Sequence, residues 1–403
     1  MRLALLSPLP PEQTGIADYA ARCRLALNQA GVEVLTPLQG QRPITSLAAA
    51  KAWVAERDWR RVDVVHAELG VGRMAEFYTL CALAALPARP ALSATLHDPD
   101  RLVWQPISGL SRWAWHSAWL PRPVSALLGG LAAPFTLMAE RRLARQLDGV
   151  VTLTQGGGQG LLKRMKLRPD VLSVIPHGVP AVPMRPLPPL EPLRVLFFGF
   201  IHKGKGIEDL IDAIGRLRAR HPDQAGRVRL TIAGGTAPDF AYGRRGSYVA
   251  ELQARIERRG IATQVDWELN VDERDIPDLV QRHHLTVLPY REPHHLWSLG
   301  QSRGSSGVLA WALACGRGVI VSSARSLAEE AEAGIGATYP QGDVAALTQQ
   351  MLAVLTEPQR LQAWAERAHA LALTRDWPTT GQRFAGHFQR TAERAPNKPS
   401  LTL

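Results

Sequence analysis

Short apolar runs alternate with amphipathic segments along this chain, and one proline-dense stretch interrupts the alternation before it begins again. The order from the start is RLALLSP, ADYAARCRLALNQAG, VEVLTPL, a helical segment near 46–57, VDVVHAELG, a helix near 73–85 and ALSATLHD. A long irregular stretch rich in Trp and Arg follows, then a helix around 135–147, VVTLT, a short helix over 157–165 and VLSVIPHG. Strands that alternate with helices have both faces of a parallel sheet to cover, so this half predicts one doubly wound α/β unit. Residues 180–193, PAVPMRPLPPLEPL, can continue neither a helix nor a ladder, because proline lacks the amide hydrogen and fixes φ. A semi-rigid extended connector is expected there.

After it the pattern restarts with strands LRVLFFGFI, RVRLTIAGG, TQVDWEL, LTVLPY and GVIVSS, separated by helical segments and followed by helices over 343–356 and 358–372. The expected architecture is therefore two Rossmann-like α/β domains, 1–180 and 194–375, joined by a linker over 181–193. The segment 376–403 contains TTGQRFAGHFQRTAER, an amphipathic helix expected to pack back on the first domain before a frayed tail. Ligands of open α/β sheets bind at the carboxyl ends of the strands. Two such sheets are expected to face one central cleft, with functional residues just after strands.

Composition narrows the class. With 403 residues, 46% hydrophobic and 21% charged, the chain is neither disordered nor fibrous. A net charge of +11 favours acidic partners: nucleic acid, anionic lipid or a phosphorylated small molecule. Three widely spaced cysteines, Cys23, Cys81 and Cys315, exclude a disulfide framework and a cysteine zinc site, and suit a reducing cytoplasm. MRLALLSP reads as a first buried strand rather than an export signal. The longest uncharged stretch, Pro123 to Ala139, is broken by Gly129, Gly130 and Pro134, so no spanning helix is expected.

The strongest local signal is Gly199-Phe200-Ile201-His202-Lys203-Gly204-Lys205-Gly206, which follows a strand and opens a helix. Backbone amides of such a turn approach an anion, and Lys203 and Lys205 add two charges: the chemistry of a diphosphate site. It matches neither GxxxxGK[ST] nor the dinucleotide glycine spacing. A second candidate anion nest is Gly304-Ser305-Ser306-Gly307-Val308, at the start of a helix that stops at Gly316. A third, weaker one is the loop from Pro10 to Asp18, where Gly15 permits close approach. His97, closing the strand ALSATLH, is placed to hydrogen-bond a ligand or move a proton. Asp98 and Asp100 flank Pro99, so a turn is the simpler reading than a metal pair; His177 is read as shaping the turn into the linker. His283, His284, His294, His295 and Glu292 lack a three-ligand spacing, and no metal is expected.

Residues 101–122 hold Arg101, Trp104, Arg112, Trp113, Trp115, Trp119 and Arg122, with no acidic residue before Glu140. Indole rings beside guanidinium groups suit an anionic membrane interface or a lipid-linked or oligosaccharide acceptor, against the alternative that the tryptophans are core. No recognition helix, zinc finger or single-strand signature accompanies them, so nucleic acid is not an expected partner.

Together these residues resemble glycosyltransferase family 4, with its GT-B architecture. The resemblance runs through SPLPPEQTGIADY, SATLHDPDRLVW, SVIPHGV, FFGFIHKGKGIEDLIDAI and SSGVLAWALACGRGVIVSS, in the family's order. It implies a nucleoside diphosphate sugar bound mainly by the second domain, an acceptor on the first, and transfer with retention and no bound metal or other cofactor. Residue by residue, Lys205 matches the donor-phosphate lysine with Lys203 beside it. Gly15 matches the first-domain glycine near the donor, His97 the histidine by the transferred sugar, and Ser306, Gly307 and Val308 the helix start that meets the diphosphate. Gly199, His202 and Gly204 complete the donor turn. The family's two glutamates, eight residues apart, would fall on Arg303 and Trp311, so neither carboxylate is present; Glu292 is the nearest candidate replacement. The chain is thus expected to be a peripheral, cytoplasmic sugar transferase of cell-envelope polysaccharide or glycolipid assembly. The alternatives are a catalytically inactive nucleotide-binding scaffold and a nucleotide-sugar epimerase.

Overall fold

A computed structural model describes residues 1–12, 14–70, 72–99, 101–103, 107, 134–235, 247–291 and 305–395. They form two units: residues 1–176 with 377 onward, and residues 177–376 apart from the short stretch 300–304.

The first unit is a six-stranded sheet ordered β2-β1-β3-β4-β5-β6, with every recorded pairing parallel. Its strands are β1 (Arg2–Leu6), β2 (Glu33–Leu35), β3 (Val64–Leu69), β4 (Ala91–Leu96), β5 (Gly149–Thr152) and β6 (Leu172–Val174). β3 and β4 are buried at all positions, although each carries two polar residues at alternating positions, His66 and Glu68 in β3 and Ser93 and Thr95 in β4. The chain winds one way from β1 to β2 and the other way from β3 to β6, so the order reverses beside β1 and β3.

The second unit repeats the plan as β12-β11-β10-β7-β8-β9. Here β7 is Leu193–Phe198, β8 Val228–Gly234, β9 Val265–Leu269, β10 Leu285–Leu288, β11 Gly318–Ser322 and β12 Gly336–Tyr339. The sequence reading found five of these strands; the sixth, GATY, is a four-residue edge strand with too little apolar character to stand out. The reversal falls between β7 and β10, which pair in register Leu285↔Val195. The helix Ile207–Arg220 after β7 shows why such segments are helical. Ile207, Leu210, Ile211, Ile214 and Leu217 recur at helical spacing and are buried, Glu208 and Asp209 lie in the first turn, and Arg218 and Arg220 in the last.

The proline-rich stretch is not a bare connector. Arg317, 1% exposed, donates to the carbonyls of Arg185 (3.1 Å) and Pro186 (3.0 Å), and also to those of Gln281 and His283. The Gln281 side chain donates to the Pro183 carbonyl at 3.1 Å and accepts from the Arg185 amide at 2.7 Å. Prolines cannot pair as a strand, so side chains of the second unit supply the partners that a ladder would have given.

The last helix, Trp377–Glu393, packs on the helix Gly15–Gln29 and on β3–β5 of the first unit. Its His387, 0% exposed, lies between Ser173 Oγ (2.9 Å) and Ser93 Oγ (3.1 Å). Burial lowers this imidazole to about 3, and lowers that of His283, held by Thr231 and the Leu279 carbonyl in the second unit, to about 4. Both folds therefore hold a neutral ring that the unfolded chain protonates near pH 6.5. Stability is complete above that value and falls as pH drops through it, by about 2 kcal/mol per histidine at pH 5. Thermal melts between pH 7.5 and 5 should show this loss, and His387→Gln should flatten the dependence of the first unit.

Candidate active site

In the second unit the loop after β7 meets the loop after β10 at the point where strand order reverses, the ordinary ligand position of such sheets. Gly206 has φ +69°, and a Cβ there would overlap the Pro289 carbonyl; the Arg291 amide donates to the Gly204 carbonyl at 3.1 Å. Arg291 Nε donates to Asp209 Oδ2 at 2.7 Å, joining the β10 loop to the first turn of Ile207–Arg220. That hydrogen bond is the main reason the guanidinium is raised above its ordinary value.

Against this frame Lys205 rests on an aromatic ring, its Nζ 3.7 Å from the Tyr290 centroid. Tyr290 is buried, and its hydroxyl is 3.2 Å from Ser306 Oγ while its carbonyl accepts from Ser322 Oγ at 2.6 Å. Ser306 precedes the helix Gly307–Ala314, but its side chain makes no capping bond to that helix. The Leu309 amide donates to the Ser306 carbonyl at 2.9 Å, while among the described residues the Gly307 and Val308 amides have no recorded acceptor. Gly199, with φ +130°, lies where a Cβ would be 3.2 Å from Val308 Cγ2 and 3.9 Å from the Tyr290 hydroxyl. The two glycine-rich stretches, about a hundred residues apart, are one site: Gly199, Lys205, Ser306, Gly307 and Val308 converge around Tyr290. His177 joins them, its Nε2 4.0 Å from a Cβ built at Gly307, while Nδ1 lies 2.7 Å from the Gly178 carbonyl.

The lysine pair is split. Lys203 Nζ lies 2.9 Å from Glu251 Oε2, both side chains more than half exposed, while no carboxylate pairs with Lys205 among the described residues. Two lysines separated by Gly204 in a turn diverge, so Lys203 belongs to a surface ion pair rather than beside Lys205, and His202 Nδ1 lies 2.7 Å from the Lys203 carbonyl.

In the first unit three loops meet. A Cβ at Gly70, just after β3, would be 2.9 Å from Ile16 Cδ1, 3.1 Å from Asp98 Oδ2 and 3.5 Å from His97 Cβ. Gly15 opens its helix with nothing within 4 Å of a built Cβ, and Thr14 caps that helix by accepting from the Ala17 amide. The structure thus brings Gly15 and His97 to one edge. His97 Nε2 is 2.7 Å from Glu68 Oε2, a contact that the sequence reading missed along with Tyr290. A charged residue inside the buried run VVHAEL and an aromatic two residues past β10 were the available signals.

Arg101 is a correction. It is 5% exposed, and its Nε lies 2.5 Å from Glu140 Oε2, while Glu140 Oε1 accepts from the amides of Leu102 and Val103. A guanidinium buried against a carboxylate cannot bind a headgroup. Trp104, Arg112, Trp113, Glu292 and Arg303 lie outside the described residues. Trp311 is half-buried and packs with Val308 against the cluster of Leu196, Phe198 and Cys315. Among the described residues no group of three His, Cys, Asp or Glu could hold a metal, and no helix is long and apolar enough to cross a membrane.

Residues 192–357 match the family model described as glycosyl transferases group 1. HepE from Anabaena, solved with UDP, is similar with TM-score 0.65 at 18% identity, covering 96% of this chain and 100% of that one. The fold is that of the GT-B glycosyltransferases. Sucrose-phosphate synthase from Thermosynechococcus elongatus gives TM-score 0.69 at 16% identity, covering 98% of this chain and 100% of its own. A glycosyltransferase from Rickettsia africae gives 0.64 at 13%, covering 98% and 99%. No curated protein matches the chain by sequence. Within the GT-B plan, the Lys205–Tyr290 site lies in the unit that carries the family match.

Proposed function

We propose that this GT-B chain transfers a sugar from a nucleoside diphosphate sugar to an acceptor hydroxyl, with retention and without a resident metal. The observation that carries the reading is the Lys205 ammonium lying on Tyr290, beside a helix start that its own Ser306 does not cap. As the bond from the anomeric carbon to the diphosphate oxygen breaks, its electrons go to the diphosphate. Lys205 and the amides of Gly307 and Val308 receive that charge where a metal would otherwise stand. The acceptor oxygen bonds the anomeric carbon on the face the diphosphate leaves, and its proton passes to a diphosphate oxygen. UDP-sugars are the first donors to test, because HepE was solved with UDP and with UDP-glucose. Release of UDP that depends on acceptor and on Lys205 supports the reading. Nucleotide binding with no diphosphate release would favour an inactive scaffold, for which Trp311 in a packing role at a family carboxylate position is the supporting observation.

The acceptor we infer is lipid-linked or an oligosaccharide of the cell envelope, met at an anionic membrane. In the helix over 134–144, Phe135 (71% exposed) and Met138 (67%) share a face with Arg142, with Arg145 just beyond. Apolar tips flanked by cations suit a headgroup boundary. Replacing both Phe135 and Met138 with serine should lower sedimentation with phosphatidylglycerol vesicles about tenfold, and equal sedimentation of both proteins would remove the membrane role.

A further inference from the structure

A parallel strand buried on both faces ordinarily carries apolar residues, yet β3 buries Glu68 completely, opposite Thr95 of β4. Removing a carboxylate from water costs several kcal/mol unless close partners offset it. Those partners are two imidazoles. Oε2 lies 2.7 Å from His97 Nε2, and Oε1 lies 3.4 Å from His66 Nε2. His66 is itself fixed by Ser93 Oγ and Thr95 Oγ1, each at 2.9 Å, and Ser93 continues the chain of polar groups to His387. Of the two rings on Glu68, His66 is 1% exposed and His97 12% exposed in the side chain, so only His97 reaches the loop edge where Gly15 and Gly70 lie.

The geometry determines which nitrogen of His97 faces outward. An ionised carboxylate only accepts, so Nε2 carries the hydrogen in that bond. Among the described residues Nδ1 has no hydrogen-bond partner. Tyr19 packs edge-on against the ring with centroids 4.8 Å apart, and its helix also buries Cys23 nearby. Burial first pushes both Tyr19 and Cys23 up, followed by Cys23 and then Glu68 for the tyrosine and by Glu68 for the cysteine, so they stay neutral beside it. Burial alone would raise Glu68; hydrogen bonding to the two imidazoles outweighs it and lowers the carboxyl to about 2, which keeps it ionised. Asp98 follows His97 directly, its Oδ2 3.1 Å from a Cβ built at Gly70, and Asp18 lies in the first turn of the Gly15 helix.

We propose that Glu68 is a positioning residue that locks His97 with Nε2–H turned into the protein and Nδ1 presented as the acceptor for a substrate hydroxyl. The kinetic consequence rests on the sugar-transfer reading; the tautomer does not. The test is 15N NMR of the histidine-labelled full chain, with the His97 signals assigned by their loss in His97→Gln. In the wild-type chain the neutral ring should be in the Nε2–H form. In Glu68→Gln the ionised acceptor is lost, so the preference for Nε2–H should weaken measurably, and Glu68→Asp should restore it in part. In the transfer assay Glu68→Gln should lower kcat at least about tenfold with donor KM within about threefold, and should move the acid limb of the kcat–pH profile. A wild-type ring in the Nδ1–H form overturns the proposal, and this arm needs no variant to fold. So does a Glu68→Gln chain with unchanged tautomer and pH profile. If no donor is ever turned over, the NMR result still decides the role of Glu68 while the sugar-transfer reading falls.

Discussion

Lys205→Ala should lower kcat about 100- to 1000-fold, the usual loss when one group that meets charge developing in a transition state is removed. The fold should survive, because the lysine gives up only a contact with the Tyr290 ring, worth about 0.5–1 kcal/mol. Lys203→Ala makes the comparison sharp. Its ammonium is engaged by Glu251 in a half-exposed pair, which contributes about 1 kcal/mol at most, so turnover should stay within about threefold of wild type. Steady-state release of nucleoside diphosphate measures both. Equal losses in the two variants would mean that the lysines act together after all.

The second large effect is expected at Gly206. A side chain there must adopt φ +69° and also occupy the place of the Pro289 carbonyl, so Gly206→Ala should cost about 3–5 kcal/mol in the second unit. Because the β7 loop must move away from β10 to relieve the overlap, Lys205 leaves Tyr290, and nucleotide affinity should fall at temperatures where the unit is still folded. Gly15→Ala is the control: with ordinary φ and nothing within 4 Å, it should change stability by less than about 0.5 kcal/mol. Denaturant melts of the two variants check the contrast.

Much of the plan was legible because parallel strands covered on both faces announce themselves as apolar runs. β7 and β11 were readable for that reason, and the edge strand β12, with a glycine and a threonine in four residues, was not. The site was half legible. Glycine and lysine types marked the turn after β7 as a candidate site, but residue type cannot say which way two lysines in a turn diverge; that depends on the backbone at Gly204 and on Glu251, almost fifty residues away. Arg101 misled for a similar reason. A stretch without acidic residues looked uncompensated, yet its carboxylate, Glu140, arrives from a helix 39 residues on. Glu68 teaches the converse. A charge inside VVHAEL is intolerable alone, so a partner was implied by the sequence, and only β-sheet register reveals that His66 and His97 are that partner.

The central claim is that Lys205 and the amides opening Gly307–Ala314 hold the diphosphate of the donor. The most direct measurement is a crystal structure of the chain with UDP. The account predicts the β-phosphate within hydrogen-bonding distance of Lys205 Nζ and of the Gly307 and Val308 amides, with Gly199 beneath it. A diphosphate bound elsewhere, with Lys205 still lying on Tyr290, would contradict it.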